Sequence, residues 1–135
     1  MASEDREAQS VLVADGDILV RHAIADYLRN CGYTVIEATS ADEVLTVLRA
    51  ENLPVHVVLC DAEINGNMTV FELRAWILQH RPGLQIAMAA SVEKAAAIAA
   101  ELCDEGPQLS RPYDPQTVVT HIKRLLGLGS SNRAS

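Results

Sequence analysis

Short apolar runs alternate with longer amphipathic segments along most of the chain. The short runs are rich in β-branched residues and have the length of buried strands. The longer segments carry apolar residues at the three- and four-residue spacing of a helix. The pattern predicts strands at residues 10–14, 33–38, 55–60, 84–90 and 107–110, and helices at residues 18–31, 41–50, 68–80, 92–103 and 116–126.

Turn and capping residues support these boundaries. Gly32 directly follows the first predicted helix, where a glycine is typical of a C-terminal cap. Ser40 and Glu43 have the spacing of a capping box at the start of the second helix. Asp114 followed by Pro115 is typical of an N-cap and first helical position. The sequence therefore marks several helix ends without any tertiary information.

Five strand–helix units in succession indicate one fold class. Parallel strands that are connected by helices form a sheet that is covered on both faces. We expect an α/β, flavodoxin-like (βα)5 three-layer sandwich, with a five-stranded parallel sheet in the order 2-1-3-4-5 and right-handed crossovers. We expect this domain to span residues 10–127, with a disordered lead-in at residues 1–9 and a flexible tail at residues 128–135.

Length and charge limit the possible functions. A chain of 135 residues can bury one core but is too short for two domains. Lys and Arg total 11 against 18 Asp and Glu, a net charge of −7, which disfavours nucleic acid and anionic membranes as partners. No apolar run approaches the roughly 18 residues that cross a bilayer, and the polar N-terminus does not resemble a secretory signal. We expect a cytoplasmic protein.

The cysteines and histidines predict no metal site. Cys31, Cys60 and Cys103 lie far apart in apolar surroundings, and we interpret them as reduced, packed thiols. The four histidines are scattered, and no two of them are four positions apart. A glycine-rich phosphate-binding motif is also missing from the sequence, which argues against a nucleotide-binding loop.

The third strand ends on a carboxylate, Asp61. Parallel strands direct their C-terminal ends into the crevice where open α/β sheets bind ligands. Asp15 and Asp17 follow the first strand, so we expect all three carboxylates to converge there. Such a group suits Mg²⁺, and a carboxylate beside Mg²⁺ can accept a phosphoryl group. Arg111, after the fifth strand, would face the same crevice and balance phosphoryl charge.

Structural roles remain open for the same residues. Asp15 or Asp17 could cap the helix that begins at Ile18. Asp61 could be a turn residue at the end of a strand, and Arg111 could be an ordinary surface cation. The residue types alone do not decide between these alternatives.

Together, the segments resemble the receiver domain of two-component response regulators. The resemblance covers residues 10–127, nearly the whole chain. It rests on VLVADGD at 11–17, LVR at 19–21, GYTVIEA at 32–38, VVLCD at 57–61, FEL at 71–73 and RPYDP at 111–115.

The resemblance implies a function in phosphorelay signalling rather than an enzyme. Asp61 would accept a phosphoryl group from a histidine kinase or phosphotransfer protein. Mg²⁺ would be held by Asp15, by Asp61, by the backbone carbonyl of Glu63 and, as a further candidate, by Asp17. A hydroxyl at the end of the fourth strand and a lysine, here Arg111, would bind the phosphate. They would shift the face formed by the fourth helix, fifth strand and last helix, which is also the candidate surface for a homodimer.

The sequence departs from the family pattern at the site itself. Gly16 replaces one carboxylate, which is expected to weaken Mg²⁺ binding. Ala89 or Ala90 stands where the hydroxyl is expected, a loss of about 1.5–3 kcal/mol for a hydrogen bond to a charged acceptor. Arg111 replaces the lysine, and Gln108 an aromatic residue.

The next hydroxyl along the chain, Ser91, comes after those alanines, and we interpret it as a helix cap. With fewer groups that contact the phosphate, phosphorylation is expected to shift the conformation less. A ligand shifts a conformational equilibrium only through contacts that differ between the two conformations.

Three functional hypotheses follow from the residues. The first is a receiver that is phosphorylated on Asp61, and the second is a phosphorylation-independent pseudo-receiver that acts by docking on a partner. The third is a small flavodoxin-like enzyme or cofactor carrier, which Asp15 and Asp17 disfavour because they would repel a cofactor phosphate. All three share one fold, so the fold does not choose between them.

Overall fold

The elements follow the predicted alternation of strands and helices. The structure, a computed structural model, describes residues 9–106 and 111–127. The predicted fifth strand at residues 107–110, the tail at residues 128–135 and all but the last residue of the lead-in lie outside these ranges. The elements are β1 (Ser10–Ala14), α1 (Ile18–Asn30), β2 (Thr34–Ala38), α2 (Ala41–Arg49), β3 (Val57–Asp61), α3 (Val70–His80), β4 (Gln85–Ala89), α4 (Val92–Asp104) and α5 (Pro115–Leu125).

The described strands form one parallel sheet in the order β2-β1-β3-β4. This confirms the α/β, flavodoxin-like fold class and the predicted order of these four strands. β1 and β3 are direct neighbours, with Ala14 opposite Cys60, and Asp61 lies opposite Ala89 of β4. The carboxyl ends of β1, β3 and β4 therefore meet at one edge of the sheet.

Strand side chains alternate between two cores, one on each face of the sheet. Val11 and Val13 of β1 pack in a core with α1, α4 and α5. Leu12 and Ala14, the intervening residues, pack in a second core with α2 and α3. This alternation follows from the two-residue period of a strand. The three-layer sandwich is therefore confirmed, with helices on both faces.

The direction of the chain explains which helix covers which face. β1 to β2 runs one way across the sheet, whereas β2 to β3 and β3 to β4 run the other way. Right-handed crossovers then place α1 on one face and α2 and α3 on the opposite face, as observed. After β4, α4 packs on the α1 face and contacts both α1 and α5. This differs from the prediction, because right-handed crossovers in the order 2-1-3-4-5 would place it on the face of α2 and α3.

Small side chains allow α4 to pack tightly there. Ala95, Ala96, Ala99 and Ala100 are buried, so the apolar side of this helix faces the protein interior. A partner that approached α4 would meet its exposed charged side instead. That side carries Glu93, Lys94, Glu101 and Asp104.

Two elements begin two residues later than predicted, and several other boundaries differ by one residue. α3 begins at Val70 and not at residue 68, because Thr69 accepts the backbone N–H of Glu72 while the Glu72 side chain accepts that of Thr69. This capping box was visible in the sequence as a threonine followed three residues later by a glutamate. β3 begins at Val57 and not at residue 55. Just before it, the backbone N–H of Ser10 donates to Nδ1 of His56 at 2.9 Å.

The interpretation of three reduced thiols is wrong for two of them. Cys31 and Cys103 form a disulfide, with Cα atoms 5.3 Å apart and a sequence separation of 72. It connects the C-terminal end of α1 to the last turn of α4. Sequence spacing did not reveal this pair, because only the packing of α4 against α1 brings the two residues together. Cys60 is a free, buried thiol, as predicted. No helix within the described ranges is long and apolar enough to cross a membrane.

We expect reduction of the disulfide to lower the free energy of unfolding. Closing a loop of 72 residues restricts the unfolded chain by about 4 kcal/mol in the chain-entropy model. Chemical denaturation with and without a thiol reductant measures the change. The Cys31→Ala/Cys103→Ala variant is the control, because its midpoint should not respond to reductant. Equal midpoints for the oxidised and reduced wild type would contradict this prediction.

Candidate functional site

A cavity of about 210 Å³ opens at the carboxyl ends of β1, β3 and β4. Its walls come from these strand ends and from the first turns of α1 and α4. Among its lining residues, five have polar or charged side chains: Asp15, Asp17, Arg21, Asp61 and Ser91.

Strand register explains why Asp15 and Asp61 share this cavity. β1 and β3 are paired in parallel, so the residues that follow Ala14 and Cys60 leave the sheet side by side. Both carboxylates also continue the alternate positions that face α1, after Val13 and Leu59. The structure therefore brings together the carboxylates that the sequence placed at these two strand ends.

The environment of Asp15 disfavours its ionised form. The pKa of this carboxyl is raised from 3.8 to about 6; burial is the main cause, and the nearby negative charges of Asp61 and Asp17 act in the same direction. The backbone N–H of Asp17, 2.8 Å from Oδ1 of Asp15, and the charge of Arg21 act in the opposite direction. The negative charge of the cavity is therefore not fully compensated, and a cation bound there would be stabilised.

Asp17 caps α1. Its Oδ1 accepts the backbone N–H groups of Leu19 at 2.8 Å and Val20 at 3.3 Å. Of the two aspartates that could cap this helix, Asp17 is therefore the cap, and Asp15 instead accepts a hydrogen bond within the loop. A metal-binding role for Asp17 stays a prediction.

Asp61 is half-buried and also supports the turn that follows β3. Its Oδ1 accepts the backbone N–H of Glu63 at 3.2 Å. Glu63 is exposed and does not line the cavity. A metal contact by its carbonyl stays a prediction.

The residues present fit a weakly held Mg²⁺. No group of three or more His, Cys, Asp or Glu side chains in the described part of the chain could hold a metal ion. Mg²⁺ is, however, usually bound through one or two carboxylates together with water and phosphate. Asp15 and Asp61 would supply two. At Gly16, where the sequence resemblance predicts a further carboxylate, an added Cβ would lie 3.2 Å from Nδ2 of Asn65.

The end of β4 carries no hydroxyl at the cavity, but the following helix does. Ala89 lies opposite Asp61 and lines the cavity. Ser91 caps α4, as predicted, because its Oγ accepts the backbone N–H of Lys94 at 3.0 Å. The same residue also lines the cavity, which the sequence interpretation missed. Its hydroxyl proton is not used by the cap and can be donated to a ligand.

Arg111 is not among the residues that line the cavity. Its Nε and Nη2 donate to Asp104 at 2.9 and 2.8 Å, an exposed pair at the end of α4. This differs from the expected orientation towards the crevice. The difference arises because α4 packs on the α1 face and brings Asp104 within reach of the residue 111 loop.

A different cation, Arg21, lines the cavity instead. Its Nη1 donates to the backbone carbonyl of Asp15 at 3.1 Å, and its Nε donates to Oε1 of Glu37 on β2 at 3.0 Å. The position of Arg21 in the sequence already indicates its place at the cavity. Arg21 lies four residues after the cap Asp17, so it returns to the same side of the helix one turn later.

Comparison with known proteins agrees with this geometry. The family model described as response regulator receiver domain matches residues 11–123, which is most of the chain. The chain therefore belongs to the response regulator receiver domain family. A search of curated proteins found no match.

Solved structures of response regulators share the fold. A CheY-like receiver domain protein from Methanospirillum hungatei is 23% identical and aligns over 93% of this chain and 98% of its own, with a TM-score of 0.56. The chemotaxis response regulator CheY4 of Vibrio cholerae is 24% identical over 87% of this chain and 98% of its own, with a TM-score of 0.56. At these sequence identities the similarity shows the fold alone, and the chemistry has to be argued from the residues of the site.

Substitution of Asp17 should separate capping from metal binding. We expect Asp17→Ala to lower the free energy of unfolding by about 1 kcal/mol, because two backbone N–H groups lose their acceptor. Asp17→Asn should retain the cap and leave stability nearly unchanged. Denaturant titration measures both changes. If Asp17→Asn also abolished Mg²⁺ binding, Asp17 would be a ligand in addition to a cap.

Magnesium affinity should depend on pH through Asp15. Its carboxyl has a raised pKa of about 6, so protons compete with the metal below that value. We expect the affinity to be constant above pH 7 and to fall by up to about tenfold per pH unit below pH 6. Calorimetric Mg²⁺ titrations between pH 5 and 8 measure this. Asp15→Asn should bind Mg²⁺ more weakly and without this dependence, and a constant wild-type affinity down to pH 5 would contradict the assignment.

Proposed function

We propose that this protein is a receiver in two-component phosphorelay signalling and accepts a phosphoryl group on Asp61. The observation that carries the proposal is the shared cavity of Asp61 and Asp15 at the adjoining ends of β3 and β1. The donor is a histidine kinase or a phosphotransfer protein, by the chain's membership in the family. In keeping with that partner, we propose a cytoplasmic location.

The reaction transfers a phosphoryl group from a phosphohistidine to the Asp61 carboxylate. One carboxylate oxygen attacks phosphorus, a P–O bond forms, the P–N bond breaks, and the histidine imidazole leaves and takes up a proton. Oδ1 of Asp61 already accepts the N–H of Glu63, so we assign the attack to Oδ2. Asp15 and Asp61 would hold Mg²⁺, which when bound neutralises charge on the phosphoryl oxygens.

Ser91 would donate a hydrogen bond to the phosphoryl group from the α4 side. Its Oγ accepts the Lys94 N–H, and this cap does not use the hydroxyl proton, which can be donated to a ligand. A phosphoryl group held between β3 and the first turn of α4 would connect Asp61 to that helix. The exposed charged sides of α4 and α5, which are joined by the Glu93–Lys123 ion pair, would then be the surface that a partner or a second copy reads.

A phosphorylation-independent docking module is the alternative function. Two observations favour it: Ala89 offers no hydroxyl opposite Asp61, and Arg111 is paired with Asp104 outside the cavity. A phosphoryl group would then make few contacts that differ between two conformations. Such a module would bind its partner equally well with Asp61 intact or replaced.

Intact-mass measurement tests the proposed function directly. We expect the wild type, incubated with Mg²⁺ and acetyl phosphate at neutral pH, to gain one phosphoryl group, because Asp61 lies beside a second carboxylate that supports the metal. The adduct should be absent with EDTA and in Asp61→Asn. Glu51→Gln, which removes an exposed carboxylate outside the cavity, is the matched control and should be phosphorylated like the wild type. An adduct on Asp61→Asn would place the modification elsewhere.

A further inference from the structure

The cavity around Asp61 has an unbalanced set of charges. Three carboxylates line it, and among the cavity-lining residues only Arg21 carries a positive charge. A phosphoryl group would add a charge of about −1.5 to −2. The added charge favours a further cation close to the phosphoryl oxygens, in addition to the Mg²⁺ of the proposed function.

Arg111 is poorly placed to be that cation. Both of its hydrogen bonds go to Asp104, in the two-pronged geometry that is the strongest arrangement of an arginine with a carboxylate. It is exposed and lies outside the cavity lining. To bind a phosphoryl group on Asp61, it would have to leave this partner.

Arg21 is already held at the cavity. Only 11% of its side chain is exposed, and its guanidinium is fixed between the carbonyl of Asp15 and the carboxylate of Glu37. Glu37 is in turn held by Arg29 at 3.1 Å, so the acceptor that orients Arg21 is itself fixed. These two hydrogen bonds use two of the five N–H donors of a guanidinium. The remaining donors can serve a second anion.

We infer that Arg21, and not Arg111, is the cation that binds the phosphoryl group on Asp61. The inference rests on the proposed function and names a residue of the same site. The guanidinium contributes charge and a planar pair of donors that match two phosphoryl oxygens. Because Arg21 also holds the carbonyl of Asp15, it connects the phosphoryl group to the loop that carries the metal-binding carboxylate.

Phosphorylation of four variants tests this inference. The initial rate of adduct formation with acetyl phosphate and Mg²⁺ is measured for Arg21→Gln, Arg21→Lys, Arg111→Gln and Glu37→Gln. We expect the initial rate of Arg21→Gln to fall about tenfold or more, which corresponds to the loss of a hydrogen bond to a charged group. Arg21→Lys, which keeps the charge but not the planar donors, should lie between Arg21→Gln and the wild type. Arg111→Gln should remain within about twofold of the wild type.

Glu37→Gln distinguishes binding from a purely structural role. It removes the ion pair that holds Arg21 but leaves the Arg21 side chain and its acceptor, the Asp15 carbonyl, unchanged. If Arg21 acts only by connecting β2 to the Asp15 loop, the phosphorylation rate should fall equally in Glu37→Gln and Arg21→Gln. That result would overturn the inference. If Arg21 binds the phosphoryl group, the phosphorylation rate should fall clearly less in Glu37→Gln than in Arg21→Gln.

Beryllium fluoride, a mimic of the phosphoryl group, gives a readout without turnover. Its binding to Asp61 in the presence of Mg²⁺ is followed by fluorine NMR, and we expect the affinity to fall in Arg21→Gln and to be retained in Arg111→Gln. The reverse order would overturn the inference while leaving the proposed function intact. A folded wild type that binds neither beryllium fluoride nor a phosphoryl group would overturn both.

Discussion

The parallel pairing of β1 with β3 is the constraint on which the site depends. It brings two strand ends together, and the two-residue period of each strand turns Asp15 and Asp61 towards the same helix, α1. Two carboxylates that lie far apart in sequence thereby share one small cavity, where burial and their mutual repulsion make the ionised state of Asp15 unfavourable. The uncompensated negative charge of this site favours the binding of a cation.

The position of α4 has effects at several distant points. Its small buried side chains let it lie against α1 and the sheet, and its first turn closes one side of the cavity with Ser91. Its last turn supplies Cys103 to the disulfide with Cys31 and Asp104 to the ion pair with Arg111. The packing of α4 therefore places the Ser91 hydroxyl at the cavity and pairs Arg111 with Asp104 outside it.

Local patterns were enough to predict most of the framework and the position of Asp61. Strand and helix periods, caps and the order of elements are encoded by neighbouring residues, so the fold class follows from them. The place of Arg21 was missed although its four-residue spacing from Asp17 was a local signal for it. The disulfide of Cys31 and the pairing of Arg111 were not predicted, because each depends on which face of the sheet α4 covers. No local pattern carries that information. The capping role of Asp17 lies between these cases: the sequence offered two candidates, and only the hydrogen bonds of the loop chose between them.

The alternation of side chains along β3 also determines which genetic changes the site can survive. Exchange of one side chain for another, as at Gly16 or Ala89, alters the strength of the site but not its location. Deletion of a single codon between Val57 and Asp61 would instead rotate the carboxylate to the core of α2 and α3, on the far side of the sheet. A lineage of such proteins can therefore drift widely in the chemistry around Asp61. It has almost no freedom in the number of residues that lead up to it.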